Sequence, residues 1–202
     1  MTTAFVVLAA YLIGSLSFAV VVSRLMRLPD PRTYGSGNPG ATNVLRSGSR
    51  AAAILTLLGD AAKGWVAVWG AQQVLGGEGV TGIALSALAV VLGHLYPVFH
   101  RFQGGKGVAT SLGVLIALDW RVALGAMATF LVITAFFRYV SLAAMLGAAF
   151  AAFFTFFVYH AHPYAWAVLA IAILTVWRHR GNIRKLMAGT ESRLGRKTAP
   201  SA

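Results

Sequence analysis

Cysteine is absent from this chain of 202 residues, and charged side chains make up only 11% of it. Without cysteine there is no disulfide and no thiolate chemistry, and the compartment is left open. Acidic residues are rarer still: Asp30, Asp60, Glu78, Asp119 and Glu191 are the whole set. Five carboxylates scattered this widely give poor support to a paired-carboxylate metal site, so neither metal nor cofactor is expected. Nor does any Lys or Arg precede the first apolar run; the first cation is Arg24. A cleavable signal needs a basic start, so the N-terminus reads as an uncleaved outside end, with Arg24 inside.

What the chain has in abundance is apolar sequence, 58% of its residues. A soluble domain carries about 25% charged residues, so this composition identifies an integral membrane protein. The net charge of +12 invites a nucleic-acid partner. However, the basic residues flank apolar runs, which is the pattern of topology and of contact with an anionic lipid bilayer, and nucleic acid is set aside. No obligate protein partner is evident.

Uncharged runs mark spans at 3–23, 80–99, 139–159 and 163–177, and a run at 51–75 is interrupted by Asp60 and Lys63. The stretch 107–137 is awkward. As one helix it would be about 46 Å long against a hydrocarbon core of roughly 30 Å. As two, 107–118 is a half-span and 122–137 a short full one. Parity favours two. Seven spans put the C-terminus on the side of Arg24, and that face then collects 15 of the 17 cations, leaving Arg121 outside and Lys63 within a span. The expectation is an all-α, single-domain membrane protein over 1–202. It has seven transmembrane helices, N-terminus outside and C-terminus cytoplasmic, and its fourth helix is a half-span opened by a glycine-rich loop. Residues 183–187 have the spacing of a short interfacial helix, and 191–202 read as a polar, mobile tail.

Two glycine-rich polar stretches sit at span mouths on the basic face, Tyr34 to Arg46 and Phe102 to Thr110. Glycines let backbone N–H groups turn toward an anion, and Arg46 and Lys106 add full charge. A half-length helix starting at Gly107 aims its N-terminal N–H groups at the same surface. The first stretch contains G-x-G-x-x-G at Gly35, Gly37 and Gly40. It has no strand before it and no suitable acid after it, so dinucleotide binding is rejected. The second is no Walker loop, since Gly107 follows Lys106. Either alone reads as well as a connecting turn. Together, with Asn38, Thr42, Asn43, Arg46 and Lys106 as donors, they read as a site for phosphorylated substrates.

Other polar residues carry less. No His is followed five residues later by Asp, which excludes the His-x4-Asp base of soluble-type glycerolipid acyltransferases. Asp60 and Lys63 share a helix face and read equally as a functional or a structural ion pair, so they stay outside the candidate site. His94 and His100, at the inner end of the third span, read as interfacial packing. His179 is different: it ends the last span among cations, beside Asn182, and is a candidate for a direct role. A transporter or channel for an organic phosphate is the competing class, and it fits poorly with two loops at one surface.

Three segments carry a resemblance. They are Gly35 to Arg46, Gly93 to Thr110, and Arg178 to Ile183 followed by Gly189-Thr190-Glu191. In this order and spacing they resemble the three signature motifs of the PlsY family of bacterial acyl-phosphate:glycerol-3-phosphate acyltransferases, from Tyr11 to Glu191. The resemblance implies an inner-membrane enzyme with its site facing the cytoplasm. It would move a fatty acyl group from acyl phosphate to the 1-hydroxyl of glycerol 3-phosphate, giving lysophosphatidic acid and inorganic phosphate, the first step of phospholipid synthesis. Ser36, Arg46, Lys106, His179 and Asn182 would be the catalytic residues. Gly37, Asn38, Thr42, Asn43, Gly104, Gly105, Gly107, Thr110 and Ser141 would hold substrate phosphate, and Glu191 would be a structural anchor.

Overall fold

The first apolar run does not fold as the single helix its sequence suggests. In the computed structural model, which describes residues 1–195, Thr2–Gly14 (α1) and Phe18–Leu25 (α2) meet at 44°. Other elements hold the break between them. The Ser15 hydroxyl donates to the Tyr11 carbonyl at 3.0 Å and accepts from the Val98 N–H at 3.3 Å. The Leu16 carbonyl, left outside the helical ladder, accepts from Lys63 Nζ at 2.6 Å. An unpaired carbonyl in hydrocarbon is costly, so Lys63 is part of what lets the span bend. Its ion pair with Asp60, at 2.8 Å, is therefore only half of its role.

A four-residue turn of helix, Ala41–Val44 (α3), leads to Arg50–Leu75 (α4), which the Ser49 hydroxyl caps by accepting from the Ala52 N–H. Val80–Leu95 (α5) follows, then Val108–Leu118 (α6) and Trp120–Phe137 (α7). The awkward stretch thus splits in two, at Asp119. That carboxylate accepts from the Arg121 N–H at 2.8 Å and so starts α7 where α6 stops. Val140–Tyr159 (α8), Pro163–Arg178 (α9) and Arg180–Met187 (α10) complete the described helices. Among the described residues, four helical stretches are long and apolar enough to cross a membrane: Arg50–Leu75, Val80–His100, Trp120–Phe137 and Val140–Tyr159. The bent α1–α2 pair makes a fifth, while α6 and α9 are shorter apolar helices.

Helix α6, 11 residues and about 16 Å long, is held by close approach to α4. A Cβ on Gly64 would lie 2.2 Å from the Thr110 carbonyl oxygen, and one on Gly113 would lie 1.9 Å from that of Ala61. Small residues let the two backbones touch, which is how apolar helices gain packing energy where lipid removes the hydrophobic drive. The result is a fixed seat for the loop that precedes α6.

The expected mobile tail is partly tied down. The Leu194 N–H donates to the Arg138 carbonyl at 2.8 Å, Arg138 Nε returns a bond to the Leu194 carbonyl at 3.1 Å, and Arg193 Nε reaches the Tyr139 hydroxyl at 3.0 Å. Residues 190–195 therefore cross to the α7–α8 junction. The rest of the expected tail, 196–202, lies outside the described residues.

Candidate functional site

Loop one, between α2 and α3, is built around a buried amide. Asn43 Nδ2 donates to the carbonyls of Pro31 at 2.6 Å and Tyr34 at 3.2 Å, and its Oδ1 accepts from the Ser36 N–H at 2.9 Å. Gly35 has φ +61°, and a Cβ there would lie 2.3 Å from Asn43 Oδ1, so the turn requires glycine. The Gly37 N–H is bonded to the Tyr34 carbonyl and that of Gly40 to the Asn38 carbonyl. These facts correct the expectation of a backbone cradle. Asn43 has no donor left for a phosphate, and Gly37 contributes its conformation (φ +66°) rather than its N–H. What loop one presents is side chains: Ser36, Thr42 and Arg46 are exposed, with Asn38 half-buried beside them. Arg46 Nη2 donates to Ser192 Oγ at 3.2 Å, which brings the 190–195 segment against the loop.

Loop two, Gly104 to Gly107, behaves differently. Its Gly105 N–H donates to the His94 carbonyl at 3.1 Å. Among the described residues, the N–H groups of Gly104, Lys106 and Gly107 have no protein acceptor. The Gly104 and Gly105 carbonyls accept from Arg178 Nη2 at 2.7 Å and Nε at 3.1 Å. Gly107 takes φ +81° and delivers the chain into α6. The loops also meet, since a Cβ on Gly105 would fall 3.1 Å from the Pro39 carbonyl oxygen and 2.3 Å from His94 Nε2.

His94 is thus not an interfacial packing residue. It is 7% exposed and lies under loop two, its Nδ1 3.0 Å from Thr110 Oγ1 and 3.6 Å from Asp60 Oδ1. Thr110 is fully buried against it, so its hydroxyl supports the loop from below and does not face a substrate. Asp60, Lys63, His94 and Thr110 form one polar layer beneath the loop, outside the candidate list except for Thr110.

Above the loop a second chain of contacts converges. Lys106 Nζ donates to Asn182 Oδ1 in a very short contact. Asn182 Nδ2 and Ser141 Oγ both donate to Glu191 Oε1, each at 2.6 Å. One carboxylate therefore aligns an amide that aligns an ammonium, and elements distant in sequence are joined. The Ser141 hydroxyl proton is committed to Glu191, which corrects its assignment as a phosphate donor. Burial pushes Lys106 down to about 8, against the raising pull of Glu191 and with Arg178, Lys185 and Arg46 adding to the push.

His179, where α9 gives way to α10, is 3% exposed. Its Nδ1 lies 2.8 Å from the Thr175 carbonyl, which only a protonated nitrogen can satisfy, so Nε2 carries the lone pair in the neutral ring. Burial, then the charge of Lys106, holds it at about 4. The ring is neutral at any physiological pH. Sequence reasoning missed Arg178, which donates to two carbonyls of loop two, and His94, whose own carbonyl accepts from the Gly105 N–H. Among the described residues no cluster of His, Asp and Glu has the arrangement to hold a metal ion.

Comparison with known proteins identifies the family. A family model described as glycerol-3-phosphate acyltransferase matches residues 4–189. A glycerol-3-phosphate acyltransferase of Ralstonia nicotianae is 62% identical over 195 residues, covering 96% of this chain and 94% of that one. One from Ralstonia pickettii is 64% identical over 192 residues, covering 94% and 93%. Among solved structures, crystal structures of PlsY, an integral membrane glycerol 3-phosphate acyltransferase, superpose closely. The glycerol 3-phosphate form has TM-score 0.91 at 39% identity, and the lysophosphatidic acid form 0.90 at 38%, each covering 96% of both chains.

Proposed function

From a chain that belongs to the PlsY family of glycerol-3-phosphate acyltransferases, we propose a mechanism built on phosphate positioning by loop two and its neighbours. The protein is a multi-pass membrane acyltransferase of phospholipid synthesis that produces lysophosphatidic acid. The proposal adds the donor, acyl phosphate, and the acceptor position, the 1-hydroxyl of glycerol 3-phosphate. It also adds seven spans, with α1–α2 bent and α6 a half-span, and a site on the cytoplasmic face of the bacterial inner membrane. The fifteen cations grouped by that topology support the orientation.

Acyl phosphate is a mixed anhydride with a good leaving group, so no covalent enzyme nucleophile is needed. The difficulty is charge: two phosphate groups of roughly −2 each must meet. Arg46, Lys106 and the free N–H groups of loop two offset that repulsion and stabilise the departing phosphate. Ser36, Asn38 and Thr42 supply polar contacts on the loop-one side. The acceptor hydroxyl oxygen attacks the acyl carbonyl, the carbon–oxygen bond to phosphate breaks, and the hydroxyl proton leaves with the phosphate. Basicity decides that last assignment. His179, at about 4, is a weaker base than a phosphate, whose second pKa is about 6. Its neutral Nε2 is suited to accepting a hydrogen bond from the hydroxyl and orienting it.

The observation that carries this reading is the Lys106–Asn182–Glu191–Ser141 chain set against a loop with unbonded N–H groups. The test is phosphate release by the purified protein in detergent. Release should need both acyl phosphate and glycerol 3-phosphate, with acyl-CoA inactive as donor. Robust transfer from acyl-CoA alone defeats the donor assignment. Phosphate crossing sealed vesicles without acyl transfer would favour a transporter.

A further inference from the structure

Loop two has an unusual support. Two of its carbonyls are gripped by one guanidinium, and that residue belongs to no ion pair among the described residues. We propose that Arg178 is a positioning residue that sets the direction of the loop's peptide groups, and through them the N–H donors that receive substrate phosphate. The inference rests on the reading of loop two as a phosphate site.

The argument is one of peptide geometry. In a planar trans peptide the C=O and the following N–H point in opposite directions. Arg178 Nη2 holds the Gly104 carbonyl at 2.7 Å, so the Gly105 N–H must point away from Arg178, and it is found on the His94 carbonyl at 3.1 Å. Arg178 Nε holds the Gly105 carbonyl at 3.1 Å, so the Lys106 N–H must likewise point away. That N–H has no protein acceptor among the described residues. It lies next to Gly107 and the first turn of α6, whose N–H groups also lack helical partners. Successive N–H groups in this setting form an anion-binding concavity.

Glycine makes the support necessary. Gly104 and Gly105 fit because a Cβ on either would collide with main chain or with His94, yet glycine peptides flip easily without an external constraint. The rigid fork of a guanidinium can hold two carbonyls at once, whereas a lysine ammonium is a single point. The Arg178 carbon Cζ lies over the Tyr96 ring, 5.4 Å from its centroid, a cation–π contact that helps hold the fork in place. With two of its donors on carbonyls and a face on an aromatic ring, Arg178 acts through the loop.

The experiment uses the purified full-length enzyme. KM for each substrate, kcat, and inhibition by inorganic phosphate are measured for Arg178→Lys and Arg178→Met, alongside thermal transitions. Both variants should raise one substrate KM and weaken phosphate inhibition by about tenfold, with a smaller change in kcat, because charge without the fork does not restore the loop. Tyr96→Leu, which loosens the fork without removing it, should shift the same constants in the same direction by about twofold to threefold. This second variant keeps the test open if the arginine variants do not fold. Recovery of wild-type constants in Arg178→Lys overturns the proposal, because charge alone then suffices. So does a loss confined to protein yield or thermal transition with KM and phosphate inhibition unchanged. Lys106→Met separates the two readings. If it too leaves phosphate inhibition and both KM values unchanged, the phosphate site itself is wrong; if it alone weakens them, only the role of Arg178 falls.

Discussion

Loops one and two are both rich in glycine and both carry a cation, Arg46 and Lys106, yet they use their backbones in opposite ways. In loop one the backbone N–H groups of Ser36, Gly37 and Gly40 bond inward, and a buried Asn43 holds the turn, so the loop is a scaffold for exposed side chains. In loop two the Gly104 and Gly105 carbonyls are drawn off by Arg178, and the N–H groups of Gly104, Lys106 and Gly107 have no acceptor among the described residues. Glycine serves a strained turn in the first and close approach in the second. Composition alone does not separate these roles. The hydrogen-bond ledger of each peptide group does.

The comparison is sharpest where each loop carries its cation. Arg46→Gln and Lys106→Met keep bulk and lose charge, each removing a charge-assisted contact worth about 1.5–3 kcal/mol, so turnover should fall about tenfold or more. Neutralising Arg24 or Arg50, outside both loops, should cost far less at equal protein levels. Equal losses at all four positions would mean a diffuse basic face and no defined site.

Asn43→Ala tests whether loop one is a scaffold. Removing three bonds from a buried amide should displace Ser36 and Arg46 together, lowering activity about tenfold and also lowering the thermal transition. Activity near wild type breaks the contrast between the loops.

Loop two alone should impose a pH limit. Lys106 has its charge below about 8 and loses it above, so kcat/KM should fall as pH rises through that value. Bound phosphate favours the charged form, which moves the same limb upward in kcat. Lys106→Arg should remove the limb. A limb that persists in that variant belongs to another group. His179, already neutral above about 4, should add no limb near neutrality.

The smallest effect belongs to the contact between loop one and the 190–195 segment. Ser192→Ala deletes one exposed bond to Arg46 and should change turnover by no more than about twofold. A larger loss would show that the segment orients Arg46 and does not merely touch it.

Much of this was legible in the sequence, for reasons tied to particular residues. The half-length helix followed from charge parity around Asp119 and Arg138. The motif resemblance named Lys106, Asn182 and Glu191 one by one, and the structure joins them in one chain of contacts. The bend between α1 and α2 was not legible, because Ser15-Leu16-Ser17 contains no proline and the break is held by Lys63 and Val98 from elsewhere in the chain. Arg178 and His94 were hidden for a related reason. Arg178 binds main-chain carbonyls and His94 receives the Gly105 N–H on its own carbonyl, and since every residue has such atoms, no residue pattern marks these contacts. Ser141, Thr110 and Asn43 were misjudged in the reverse sense: their polar groups are present, but neighbours already hold them.

The attachment of Glu191 has a consequence for biosynthesis. Its carboxylate joins Asn182, in α10, to Ser141, at the start of α8, and it is itself beyond every described helix. In the order of synthesis that residue follows all of the described helices. Each helix can be inserted, and both loops formed, while Lys106 and Asn182 still lack the group that aligns them. The segment after α10 therefore completes the contacts around Lys106, and a chain cut before Glu191 would keep both loops and lose the carboxylate that aligns Asn182.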